Sequence, residues 1–195
     1  MSYHPNYFQQ DGAVRHGCQQ RLDIIRRYIH GGSLLDIGCS EGFYSFGLSD
    51  RCGPILAIDK EASLIQACHT IKGSNEVDID FQCMNIDELL QSMTTWNICL
   101  YMSVHHHIVA QLGMKAASNT LRTLSQKCNC MFFDMGQRNE QNCTMHKWWQ
   151  LLPPNTDQEK WLQEYLSANT VYTDIQLIGS SVIHNVRRLL WKLTK

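Results

Sequence analysis

Residues 34–46 read "LLDIGCSEGFYSF". Two apolar residues lead into an acid, Asp36. Gly38 follows, then three small or polar residues, then Gly42. The apolar start reads as a short buried strand, and the residues after Gly42 as the opening of a helix. A glycine at 38 lets the backbone turn tightly, and one at 42 lets a ligand come close to the helix start. Loops of this kind sit at the carboxyl ends of parallel strands, where open α/β sheets bind their ligands. Two glycines alone fit a plain strand-to-helix turn equally well.

The flanking sequence repeats the alternation. Residues 15–29, "RHGCQQRLDIIRRYI", place Leu22, Ile25 and Ile29 at helical spacing, and His30-Gly31-Gly32 ends that helix. Further strands are read in "ILAID", "IDFQCMN", "WNICLYMSV" and "CNCMFFDMG". Helices are read in "KEASLIQACHTIK", "IDELLQSM", residues 109–126 and "DQEKWLQEYLSAN", the last with Asp157 as N-cap. Alternating strands and helices imply parallel pairing with helices on both faces. The near-continuous apolar character of the strands agrees with burial on both faces. The closing runs "YTDIQLIGSS" and "HNVRRLLWKLTK" read as a hairpin about a Gly-Ser-Ser turn. The expectation is a doubly wound, mostly parallel, seven-stranded α/β sheet of Rossmann-like type with an antiparallel C-terminal hairpin strand. One domain over residues 1–195 is expected, with residues 1–14 as a lid segment carrying Tyr3, Tyr7 and Phe8.

Composition narrows the function classes. The 44% hydrophobic content supports one sizeable core. A net charge of -1 speaks against a broad nucleic-acid footprint. No run reaches the length of a membrane span, and the N-terminus lacks a signal-peptide core, so a cytoplasmic location is expected. Nine cysteines without a C-x-x-C pair read as reduced thiols in a reducing compartment.

Asp59 ends the second strand, where an acid accepts hydrogen bonds from a ribose diol or caps the next helix. A dinucleotide fingerprint fails, because Ser40 and Phe43 stand where it needs glycine. The G-x-x-x-x-G-K-[ST] pattern of a phosphate-cradling loop is absent as well. An acid two residues before Gly38 suits a ligand with a cationic end better than a pyrophosphate.

"LLDIGCSEG", "LAIDKE", "FQCMNID" and "NICLYMSVHHH" resemble, in order and spacing, the cofactor motifs of class I S-adenosylmethionine-dependent methyltransferases. The resemblance covers about residues 15–195. It implies S-adenosyl-L-methionine as cofactor, held by Asp36, Gly38, Cys39, Ser40, Gly42, Asp59, Lys60, Asn85, Ile86 and Met102. The chain departs from the family at Ser40, often glycine, and at Asn85 and Asn97, often aspartate. "MSVHHHIV", "FFDMGQRNE" and "HNVRRLLWKL" further resemble the methyltransferase part of bacterial polysaccharide chain-terminating methyltransferase/kinases. The segment "YFQQDG" with the first helix is similar to phosphate-capping RNA methyltransferases. Both imply oxygen methylation at or near a phosphate or sugar. A small-molecule or glycan acceptor is expected. A nucleic-acid acceptor is disfavoured by the charge, and a non-catalytic cofactor-binding domain is the alternative from another class.

In this fold the carboxyl end of the fourth strand lies beside the transferred methyl group, and here it reads Ser103, His105, His106 and His107. A histidine suits proton exchange near neutral pH. If the strand persists, His105 and His107 share a face and His106 points elsewhere. These three histidines and Asp134, which ends the fifth strand, are the candidate catalytic residues. A metal at His105 and His107 with Asp134 as third ligand is the less favoured reading, and no metal is expected. Arg187 and Arg188 point to opposite faces of the last strand, so at most one of them reaches the cleft. Trp148 and Trp149 form either a pocket wall or part of the core.

Overall fold

In the computed structural model, strands β1 (Leu34–Ile37), β2 (Ile55–Asp59), β3 (Ile79–Cys83), β4 (Trp96–Met102), β5 (Cys128–Asp134), β6 (Asp174–Ile183) and β7 (Val186–Thr194) form one sheet. Their order is β3-β2-β1-β4-β5-β7-β6. The structure describes residues 17–73, 75–138, 140, 148–154, 157–183 and 186–195. The N-terminal segment expected to act as a lid lies outside them, as does Cys143.

Strands β1 to β5 pair in parallel, while β7 runs antiparallel to both β5 and β6. Alternate residues supply the two faces. Leu35, Ile37, Cys99, Tyr101, Met131, Phe133 and Trp191 pack beneath α5 (His105–Lys127) and α6 (Gln158–Asn169). Leu34, Ile98, Leu100, Phe132 and Leu190 pack beneath α1 (Cys18–Arg26), α2 (Phe43–Leu48) and α3 (Ala62–Lys72). Both faces are therefore covered, which accounts for the apolar strands. A short α4 (Ile86–Gln91) follows β3, and a single 3-10 turn, Trp148–Leu151, precedes α6. The Trp149 side chain packs against the α5/α6 core, so its role is packing. Asp157 caps α6 by accepting from the Glu159 and Lys160 backbone N–H groups.

Two elements differ from the expectation. Gly179, Ser180 and Ser181 form no turn; they lie inside β6, with a bulge between Leu177 and Gly179. A Cβ at Gly179 would come within 2.6 Å of Ile24 Cδ1, so the glycine lets α1 lie close on the strand. The second difference is α5, which starts at His105 rather than at 109. Ser103 adopts φ 59, a left-handed conformation that ends β4 and turns the chain straight into the helix. A residue with non-helical angles, Gly113, then interrupts α5.

Sheet order reverses between β1 and β4. The loops after these strands therefore open away from each other and leave a crevice at their carboxyl ends. Everything in the candidate site hangs from this edge.

Candidate active site

The loop 38–42 is pinned to the neighbouring strand. The Gly38 and Cys39 N–H groups both donate to Ile58 O, at 2.8 and 3.0 Å. Gly38, Ser40 and Gly42 all take positive φ, at 69, 53 and 79°. A Cβ on Gly38 would lie 2.6 Å from Val104 Cγ2, so only glycine lets the loop after β1 meet the loop after β4. Gly42 has a different reason from the expected ligand approach. A Cβ there would meet the rings of Phe46 and Phe81, at 2.9 and 3.0 Å. Its missing side chain makes room for core aromatics.

Asp59 binds the two loops together. One carboxylate oxygen accepts from Ser40 N and the other from Glu61 N, both at 3.0 Å. The carboxylate is half-buried and has lone pairs left over for a ligand diol. The Cys39 and Cys68 thiols both lie on Ser40 O, at 3.7 and 3.2 Å. Lys60 is exposed beside Glu61, and Met102 is buried in the core. Met84 N donates to Asp59 O, which brings the end of β3 to the same edge. There Asn85 is exposed, and the Glu88 carboxylate accepts from both its backbone and its side-chain amide. Ile86 follows, half-buried against the core.

Asp36 is buried, and its side-chain partner among the described residues is the Ser45 hydroxyl, at 2.6 Å. Burial pushes its carboxyl up to about 6, against the opposing pull of the Ser45 hydrogen bond. A carboxylate whose charge is this poorly compensated favours a nearby cation. Together with the spare lone pairs of Asp59, it suits a ligand bearing a ribose at one end and a cation at the other.

The three histidines separate because they open a helix rather than end a strand. His105 is wholly buried among Tyr101, Phe133 and Tyr165 on the α5/α6 side of the sheet. Its Nε2 lies 2.9 Å from the Tyr165 hydroxyl, which also meets Ser118 Oγ at 2.8 Å. His105 is a core residue here, and the expectation that it shares a face with His107 fails. His107 is exposed, while His106 is buried, its ring 4.2 Å from that of His107. His106 Nδ1 accepts from Gly136 N at 3.1 Å, just past the end of β5.

Burial lowers the His105 imidazole to about 3. The folded protein keeps it neutral while the unfolded chain protonates it below about pH 6.5. Its contribution is thus complete above that pH and is lost as the pH falls toward 3. Asp36 works in the opposite sense between about pH 6 and 4, because its folded carboxyl holds the proton more tightly. Denaturant titrations at pH 7 and pH 5 check this. Wild type should lose about 1–2 kcal/mol more than His105→Gln over that interval. Equal losses would show that His105 does not titrate on unfolding.

Asp134 is wholly buried and forms the centre of a polar network. It pairs with Arg21, from α1, and accepts from both the backbone N–H and the hydroxyl of Ser103. Arg188, from β7, is held by Glu140 through two bonds of 2.7 and 2.5 Å. Arg188 also donates to Ser103 Oγ at 2.9 Å, and Arg21 reaches the same oxygen at 3.3 Å. Two guanidinium groups thus converge on one hydroxyl, each balanced by a buried carboxylate. The Arg21 cation is disfavoured by burial, but Asp134 more than offsets this and keeps its pKa raised. The Arg21 guanidinium also lies 5.9 Å from the centre of the buried Tyr44 ring. Arg187 is exposed and bonds Ser180, so Arg188 alone turns inward.

Arg21, Tyr44 and Glu140 escaped the sequence reading. Arg21 carried a signal: it falls on the apolar stripe of α1 with Leu22 and Ile25, and a charge there needs a buried partner. Glu140 carried no such signal. Among the described residues no three histidine, cysteine or acidic side chains cluster as a metal site. Asp134 is committed to Arg21 and Ser103. No helix of the described residues is long and apolar enough to cross a membrane.

Comparison with known proteins agrees with this fold. Residues 34–127 match a family model described as a methyltransferase domain. The chain is 26% identical over 148 residues to the O-antigen chain terminator bifunctional methyltransferase/kinase WbdD of Escherichia coli. That match covers 70% of this chain and 20% of the relative, so the chain spans about a fifth of its length. A solved structure of the bifunctional kinase-methyltransferase WbdD superposes with a TM-score of 0.79 at 22% identity, over 98% of this chain and 42% of that one. Magnesium protoporphyrin IX methyltransferase from Synechocystis PCC 6803, with bound S-adenosylmethionine, superposes with a TM-score of 0.68 at 12% identity. That superposition covers 97% of this chain and 90% of the other. In its ordered motifs, its strand order and the methyltransferase-domain match over residues 34–127, the chain resembles the class I S-adenosylmethionine-dependent methyltransferases.

Proposed function

We propose that this chain methylates an oxygen of a small or glycan-linked acceptor, with a phosphorylated acceptor favoured. The observation that carries the reading is the convergence of Arg21 and Arg188 on Ser103 at the ends of β4 and β5. Guanidinium groups have donors in a fixed fork suited to phosphate and carboxylate oxygens. The likeness to a methyltransferase/kinase that terminates O-antigen chains supports the same acceptor class. The exposed cluster of Arg27, His30 and Arg51 follows α1 and α2, at the amino ends of the strands and opposite the crevice. It therefore forms no basic track into the site, which favours a small acceptor over a nucleic acid.

When bound, S-adenosylmethionine would supply a sulfonium methyl for transfer to the acceptor oxygen, with S-adenosylhomocysteine as the leaving group. Asp36, Asp59 and the loop 38–42 hold and orient the donor. Ser103, left-handed and fixed by two arginines and a carboxylate, sets the acceptor side of the edge. An acceptor that arrives already ionised needs positioning rather than a base. Labelled S-adenosylmethionine offered with phosphorylated sugars, RNA ends and small acids tests the reading. Label on a phosphorylated sugar or small acid is expected. Transfer to RNA ends alone would replace the proposal with the nucleic-acid reading.

Asp59→Ala should weaken S-adenosylhomocysteine binding by about 1–3 kcal/mol, the cost of losing a charged acceptor. Because Asp59 also holds Ser40 and Glu61, some loss of thermal stability should accompany it. Calorimetric titration of the variant checks this. Unchanged affinity with lower stability would reduce Asp59 to a loop tie.

A further inference from the structure

Gly113 breaks α5 into residues 105–112 and 114–127. Its φ of 82° and ψ of 167° fall in a region essentially closed to residues with a Cβ. A Cβ there would meet nothing within 4 Å, so the glycine serves the backbone turn and no close packing. The first piece is only about two turns long, too short to hold itself as a helix in water. Its direction must come from its side chains. Ile108 and Val109 supply apolar burial, which is non-directional. His105 supplies a polar anchor. Its ring is wholly buried, its Nδ1 has no hydrogen-bond partner, and its Nε2 lies 2.9 Å from the Tyr165 hydroxyl. The same hydroxyl lies 2.8 Å from Ser118 Oγ, on the far side of the break. One oxygen from α6 thus joins the two pieces of α5. The Tyr165 ring stacks on Trp161 with centroids 5.3 Å apart, which holds that oxygen in place.

We infer that Tyr165 is a positioning residue: by tying His105 to Ser118 across Gly113, it sets the direction in which the first piece of α5 meets the β1–α2 loop. The meeting point is Val104, the residue that enters α5, whose Cγ2 faces Gly38. Gly38 belongs to the loop proposed to hold S-adenosylmethionine. The inference rests on that reading and extends it to α6, an element outside the loop. A direction set by hydrogen bonds is specific where apolar contact is not, so losing one oxygen loosens the first piece while its burial remains.

The test is amide hydrogen exchange on the full chain, read by mass spectrometry, with S-adenosylhomocysteine titration of the same variants. Tyr165→Phe removes one oxygen and keeps the ring. Exchange in residues 105–112 should rise about tenfold, because two hydrogen bonds are lost, while exchange in 114–127 stays within about twofold of wild type. S-adenosylhomocysteine binding should weaken about three- to tenfold. Ser118→Ala should act in the same direction, and it carries the exchange test by itself if Tyr165→Phe does not fold. Adding it to Tyr165→Phe should change little, since the oxygen that both bonds share is already gone. Leu162→Ala, which opens a cavity at a wholly buried position of α6, is the comparison: it should raise exchange on both sides of Gly113 together. Tyr165→Phe that raises exchange equally on both sides of the break, or on neither, would overturn the inference. So would additive effects of the two substitutions, or an unchanged affinity for S-adenosylhomocysteine. A wild-type protein that binds no S-adenosylhomocysteine would instead count against the cofactor reading, and the exchange contrast would still decide the tie.

Discussion

Asp134→Ala is expected to be among the most damaging single substitutions in the chain, lowering stability by about 3–5 kcal/mol. The residue is wholly buried and gives its oxygens to Arg21 and to Ser103. Removing it strands a buried guanidinium, and the penalty for an uncompensated buried charge dominates over the lost contacts. For a chain of this size the melting temperature should fall by roughly 6–20 °C. Arg21→Met combined with Asp134→Leu removes both charges and should recover a large part of that loss, since a buried pair gains little over an apolar replacement. The double variant should still fail to transfer methyl, because Ser103 loses its support and one guanidinium is gone. Thermal melts of the two variants, read beside methyl transfer, separate the structural from the functional role. If the double variant is no more stable than the single, the cost does not come from the stranded charge.

Gly38→Ala is the second change expected to have a large effect. The position takes φ 69, where a Cβ costs about 1–2 kcal/mol. The added methyl would also lie 2.6 Å from Val104 Cγ2. Overlap of this kind adds about 1–3 kcal/mol. The two terms give roughly 2–5 kcal/mol in total, and they fall on the loop proposed to hold the cofactor. Cofactor affinity should drop with stability. Val104→Ala in the same chain relieves the overlap but not the backbone conformation, so about half of the loss should return. Denaturation and S-adenosylhomocysteine titration of the single and double variants check this. Full recovery in the double variant would mean that the left-handed backbone costs nothing there.

The sheet was legible because its information is local. Apolar runs such as "ILAID" and "CNCMFFD" are strands wherever they occur, and their alternation with helical spacing admits few topologies. The tight turn of the β1–α2 loop was legible for the same reason, because Gly38 carries its positive φ in residue type and position. The histidine triplet was misread because one backbone angle at Ser103 converts a strand period into a helical one. No residue type announces a left-handed serine. That angle sends His105 into the core and His107 out to solvent. The polar network around Ser103 was legible only in part because its contacts are long-range. Arg21 meets Asp134 across 113 residues, and Arg188 meets Glu140 across 48. Only the fold brings them together. The Gly-Ser-Ser in β6 was read as a turn because Gly179 serves the close packing of Ile24, a contact outside its own strand.

The most direct measurement is isothermal titration of the protein with S-adenosylmethionine and with S-adenosylhomocysteine, with a nicotinamide dinucleotide as control. Saturable heat with both sulfur ligands and none with the dinucleotide is the predicted result. Heat with the dinucleotide alone would contradict the assignment of the β1–α2 loop, Asp36 and Asp59 to S-adenosylmethionine.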